Sequence, residues 1–151
     1  MSIKMPPIEK IHEAYGAIVD DRITLMEGKA EVVSSDLSKK YVITWKDDIY
    51  TSNDNSSYWS GYPGYPILAV LMLQGRLSLD REIAEYFKGI QWKKRNVEHK
   101  NKYAEVVKEI MDEFAAAGID CEKIQAEIDK VYKEIEQLTI TVKRGSLRPP
   151  K

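Results

Sequence analysis

The first apolar positions of the chain fall at steps of three and four. Ile8, Ile11, Tyr15, Ile18 and Val19 share one helical face, and Pro6-Pro7 precedes them, where a missing backbone N–H is tolerated. This spacing predicts a helix over 7–19, ended by Asp20-Asp21. The period then shortens. RITLM, AEVVSS, KYVITW and IYTSN are rich in β-branched and aromatic residues and are separated by Glu27-Gly28-Lys29, Ser35-Asp36-Leu37-Ser38 and Lys46-Asp47-Asp48. Connections this short join antiparallel neighbours, so the pattern predicts a four-stranded meander. Tyr41, Ile43 and Trp45 alternate with Val42, Thr44 and Lys46, which gives one covered face and one partly wet face.

Beyond residue 65 the pattern is helical. ILAVLMLQ has almost no polar face, as expected of a helix buried all round, so 67–73 is expected at the centre of the core. Ser78 is a candidate N-cap for LDREIAEYFK, with Gly89 as its stop. Trp92, His99, Tyr103, Val107, Ile110 and Phe114 then predict one long helix ending at Gly118. Asp120 caps another, striped by Ile124, Ile128, Val131, Ile135 and Leu138. The short link Gly118-Ile119-Asp120 makes these two an antiparallel hairpin. The sequence 139–142 offers a short edge strand, and KRGSLRPPK reads as a flexible basic tail. The expected fold class is therefore α+β: an N-terminal helix, a four-stranded antiparallel meander, then a helical layer ending in an antiparallel helical hairpin. The division is a single domain over 1–142 with a tail over 143–151.

Composition narrows the function classes. The chain has 151 residues, 43% of them hydrophobic, enough for one real core. A formal net charge of -1 excludes a strong overall field for nucleic acid or acidic membrane. One cysteine, Cys121, excludes an internal disulfide and fits a reducing compartment. No apolar run approaches the roughly 20 residues of a membrane span, and the N-terminus lacks the apolar core of a signal peptide. The expectation is a soluble cytoplasmic protein without membrane contact.

The unusual stretch is SNDNSSYWSGYPGYP, residues 52–66. Tyr58, Trp59, Tyr62 and Tyr65 stand among turn formers, with Asn53, Asp54 and Asn55 beside them. Gly61 and Gly64 permit close backbone approach while Pro63 and Pro66 stiffen the segment. Two readings follow. The rings can seal the seam between sheet and core helix, or they can line a cleft with the Asn and Asp side chains at its rim. A calcium loop is excluded, because the sixth and twelfth positions counted from Asn53 are Tyr58 and Gly64.

A second candidate is Trp92 with Lys93, Lys94 and Arg95, the mixture of ring and cation used by single-stranded nucleic-acid sites. His12 and His99 share no motif, and Cys121 has no adjacent base. Asp20-Asp21 and Asp47-Asp48 sit where turns favour aspartate. No cofactor motif is present. The residues favour a non-catalytic binding domain that uses the loop 53–65 toward a protein partner or small planar ligand. The alternatives are a single-stranded nucleic-acid accessory protein using Trp92, its cations and the tail, and a small enzyme with Asp54 as acid or base. The stripe on the last helix allows a monomer or a weak homodimer through the C-terminal helices.

Overall fold

The computed structural model describes residues 3–151. The chain is α+β, as the hydrophobic pattern predicts: a helix, an antiparallel meander, then helices, with a fifth strand closing the sheet. The first helix, α1 (Lys10–Val19), is followed by β1 (Ile23–Met26), β2 (Lys29–Val33), β3 (Lys40–Lys46) and β4 (Ile49–Ser52). One π-helical turn (Ser56–Ser60) leads to α2 (Tyr65–Leu73), then α3 (Arg81–Glu85), α4 (Trp92–Glu98), α5 (Tyr103–Ala116), α6 (Cys121–Glu136) and β5 (Thr141–Val142).

The sheet runs β1-β2-β3-β4-β5, antiparallel except for the last pair. Register pairs Ala30 with Ile43 and Val32 with Tyr41, so these residues share a face. Ala30, Val32 and Ile43 are fully buried. Asp47 and Asp48 both take positive φ in the β3–β4 turn, as a two-residue hairpin with matching twist demands. β5 lies parallel to β4, with Ile49 opposite Thr141 and Tyr50 opposite Val142. The segment 143–151 continues along that edge. Lys143 N donates to Tyr50 O (2.8 Å), and Gly145 sits against Thr51.

α2 is buried from Pro66 to Met72 and packs on β3, β4 and α1. α1 is covered in turn by α3 and α6. The outcome for α1 differs from its amphipathic pattern: every residue from Lys10 to Ile18 is buried, the polar ones included. Lys10 and Glu13 on its polar side line a half-open pocket.

Three boundaries differ from the sequence reading. Asp80, rather than Ser78, caps α3 by accepting from Ile83 N (3.1 Å), while Ser78 donates from N and Oγ to Glu134 (2.8 and 2.6 Å). The single long helix expected over 92–118 is two, broken where Lys100 and Asn101 adopt φ of 53° and 61°. Left-handed backbone at two successive positions ends a helix whatever the apolar spacing around it. The first helix begins at Lys10 rather than at residue 7. Asp120 does cap α6, accepting from Lys123 N (3.1 Å). Ile124, Ile128, Val131 and Ile135 are all buried within the chain. No helix among the described residues is long and apolar enough to cross a membrane.

Candidate functional site

A half-open pocket of about 280 Å³ lies where several parts of the chain meet. α1 contributes Lys10 and Glu13, and Arg22 stands just before β1. Ser34, Ser35 and Tyr41 come from the β2–β3 region, Asp54, Asn55 and Tyr65 from the aromatic loop and the start of α2. Trp92, Lys93, Asn96 and Val97 on α4 form the opposite wall, together with Asn101 and Tyr103. The size suits a small organic molecule, just below the usual range of about 300–1,000 Å³ for ligand sites.

Its walls are unusually polar for an interior. Lys10 is only 5% exposed and Arg22 7%, although lysine and arginine are almost never buried unless paired. Lys10 Nζ lies 3.8 Å from Glu13 Oε2 and 3.8 Å from the centroid of the Tyr103 ring. Neither distance is a hydrogen bond. Burial alone would lower the Lys10 pKa, but Glu13, Tyr103, Tyr62 and Asp54 more than offset it and hold the value above the ordinary one. The ammonium therefore stays charged at neutral pH. Arg22 Nη1 donates to Val33 O (2.7 Å), and Asp20 Oδ2 approaches its Nε only to 3.8 Å. The buried Nε of Arg22 has no hydrogen-bond partner among the described residues.

The carboxylates are differently placed. Glu13 Oε1 accepts from Asn96 Nδ2 (2.7 Å), a bond that crosses from α1 to α4. Asp54 Oδ1 accepts from Ser52 Oγ (2.5 Å) and Oδ2 from Ser57 N (3.1 Å). Asp54 O accepts from Tyr58 N (2.9 Å), so this residue fixes the start of the π-helical turn with side chain and backbone together. Gly64 packs directly against the Asp54 carboxylate and Ser57 Oγ, leaving no room for a Cβ. Gly64 N donates to Ser57 Oγ (2.8 Å). Aspartate here acts as a turn former, with one edge turned to the cavity. Tyr65 meets Tyr41 edge-on (6.5 Å, 87°). Burial raises the Tyr65 hydroxyl pKa well above its usual range, a shift Arg22 opposes. Burial raises Tyr41 as well, with Asp54 adding to it. Both hydroxyls are neutral donors at neutral pH.

The residues singled out in the sequence divide between this cavity and other places. Asp54, Asn55 and Tyr65 line it, and so do Trp92 and Lys93 from the second candidate group. Tyr62 is half-buried and close enough to Lys10 to influence its charge. Asn53 points elsewhere: its Oδ1 accepts from Val42 N (2.7 Å) and its Nδ2 donates to Arg148 O (3.1 Å). Tyr58 is buried beneath Arg144, whose guanidinium lies 4.7 Å from the Tyr58 ring and 5.1 Å from that of Trp59. Trp59 is 61% exposed and meets Tyr58 edge-on. Trp92 is 4% exposed and stacks on Phe87, so it does not stand out on the surface as a platform for a nucleic-acid strand. Lys93 is tied to Ser35, Ser38 and Asp36, Arg95 makes a two-pronged contact with Glu113, and Lys94 is exposed.

Lys10, Glu13, Arg22 and Asn96 were not among the sequence candidates. Their signal was weak, because Lys10 and Glu13 lie on what reads as the solvated side of α1. Among the described residues no group of three or more His, Cys, Asp or Glu side chains is placed to hold a metal ion. A second concavity, about 750 Å³, lies along α6 between residues such as Asp129, Lys133 and Glu134. Its mixed charge is that of an ordinary helix surface.

Fold and cavity together define a small α+β protein with charged residues lining a half-open pocket. By sequence the chain belongs to the family described as Uncharacterised conserved protein UCP014422, whose model matches residues 3–141. That span holds every residue lining the cavity. No curated protein and no solved structure matches the chain.

Proposed function

We propose that this chain is a non-catalytic small-ligand binding protein whose site is the cavity between α1, the aromatic loop and α4. The observation that carries the reading is the burial of Lys10 and Arg22 in the wall of a half-open pocket of about 280 Å³. Keeping two cations out of water is costly unless something repays it. A chamber that kept them only for stability would be better filled with apolar side chains. Tyr41, Tyr65, Tyr103 and Trp92 give the space aromatic walls, which suits a small planar ligand.

The aromatic loop contributes through Asp54, Asn55 and Tyr65 rather than through Tyr58 and Trp59. Nothing in the geometry supports Asp54 as an acid or base beyond its place on the wall. Both of its oxygens are engaged in holding the loop. The nucleic-acid alternative draws no support from the burial of Trp92 and the pairing of Lys93 and Arg95.

The reading is tested by following the three tryptophan indole N–H signals in an NMR screen of small planar compounds. Binding in the cavity moves Trp92 and leaves Trp59 in place. Shifts confined to Trp59 would move the site to the outer surface of the loop.

A further inference from the structure

The hydrogen-bond inventory of the cavity is lopsided, and the imbalance specifies the charge of what fits. Glu13 Oε1 is taken by Asn96, Asp54 Oδ1 by Ser52 and Asp54 Oδ2 by Ser57 N, while Glu13 Oε2 lies 3.8 Å from Lys10 Nζ. The donors are not taken up in the same way. Lys10 Nζ has three N–H groups and no hydrogen-bond acceptor among the described residues, its nearest carboxylate oxygen being 3.8 Å away. Arg22 spends Nη1 on the Val33 carbonyl and leaves Nε unpartnered. Buried polar groups in folded proteins are satisfied in the great majority, so the buried Arg22 Nε calls for a partner, and Lys10, which lines the pocket, has N–H groups free to take one. A missing partner for an ammonium and a guanidinium is an anion, since charge-assisted bonds to oxygen are the strongest these groups make.

We infer that the ligand is a small organic anion whose carboxylate or phosphate group is held by Lys10 and Arg22. Its unsaturated body lies against Tyr41, Tyr65 and Trp92. This rests on the cavity being the binding site and adds the chemical class of its occupant. One acceptor, Asn96 Oδ1, is also buried without a partner. The Lys10 ammonium, kept charged by Glu13 and its neighbours, is ready for an anion without taking up a proton.

The test compares benzoate, phenyl phosphate, inorganic phosphate and the neutral benzamide on the full chain. Affinity is read from titration calorimetry and location from the Trp92 indole signal. Benzoate or phenyl phosphate is expected to move Trp92 and to bind at least about tenfold more tightly than benzamide, the size of one charge-assisted hydrogen bond. Lys10→Met is expected to reduce that preference by a similar factor. If Lys10→Met does not fold, the comparison of anion with benzamide on the unaltered chain still decides. Inorganic phosphate acting as strongly as phenyl phosphate would support the anion site and identify a free oxyanion as its occupant. Benzamide moving Trp92 with the affinity of benzoate would overturn the anionic assignment while leaving the cavity as the site. No effect of any of the four on Trp92 would overturn both.

Discussion

Asn96 Nδ2 donates to Glu13 Oε1 across 2.7 Å, joining the short helix over the cavity to the most deeply buried helix of the fold. α4 is also anchored below by Trp92, at its start by Lys93 to Ser35 and Ser38, and toward α5 by the more exposed contact of Arg95 with Glu113. Asn96→Leu removes the donor and leaves a buried carboxylate with only Lys10 at 3.8 Å. The expected loss is about 1.5–3 kcal/mol, as for a hydrogen bond to a charged group. Urea unfolding measures it, and hydrogen exchange should show the α4 amides opening first. Unchanged stability and exchange would mean that α4 is held without this bond.

Gly16 is the floor on which Trp92 rests. A Cβ there would stand 2.6 Å from Trp92 Nε1 and 3.2 Å from Cδ1, with the Phe87 ring stacked on the indole. Gly16→Ala is therefore expected to cost about 1–3 kcal/mol through overpacking, despite the better helix propensity of alanine. The Trp92 indole signal should shift in the same variant. A more stable Gly16→Ala protein would show that the indole yields freely.

The aromatic loop separates its rings by burial. Tyr58 lies under Arg144 while Trp59 is exposed. Tyr58→Ala is expected to cost roughly 3 kcal/mol, as large core truncations do. Trp59→Ala should cost less than about 1 kcal/mol, as surface changes do. Parallel denaturant melts of the two variants check this. Equal losses would make the whole loop a plug.

How much of this was legible in the sequence differs by element. The strands were readable because Tyr41, Ile43 and Trp45 alternate cleanly and Asp47-Asp48 can only be a tight turn. β5 was readable from its β-branched residues. The break in the long helix was not, because Val107, Ile110 and Phe114 continue the spacing set by Trp92 across Lys100-Asn101. The cavity was half-legible. Asp54, Asn55, Tyr65, Trp92 and Lys93 were all candidates, but in two separate groups, since nothing local says that residues about 40 apart share a wall. Lys10 and Glu13 were hidden for a physical reason: a polar helix face looks the same whether it meets water or a polar chamber. Only the tertiary arrangement distinguishes the two.

His12 is buried in α1 and meets Phe87 edge-on (5.6 Å). Burial lowers its pKa to about 4, with the Glu9 and Ile8 carbonyls opposing this only in part. Neither ring nitrogen has a hydrogen-bond partner among the described residues. The unfolded chain takes up this proton near pH 6.5, so the folded state loses ground as pH falls from about 6.5 toward 4. The contribution is fully present above that window and amounts to roughly 3 kcal/mol across it. His12→Met is expected to flatten this part of the stability profile. Urea melts of both proteins at about pH 7.5 and about pH 4.5 measure the difference. Parallel profiles would show that His12 takes up its proton equally readily in the folded and unfolded chain.

The most direct test of the cavity as the functional site is a crystal structure of the protein soaked with benzoate. The expected result is the carboxylate within hydrogen-bond reach of Lys10 Nζ and Arg22, with the ring against Tyr41, Tyr65 and Trp92. A chamber holding only water, with benzoate absent or bound beside Trp59 and Arg144, would contradict it.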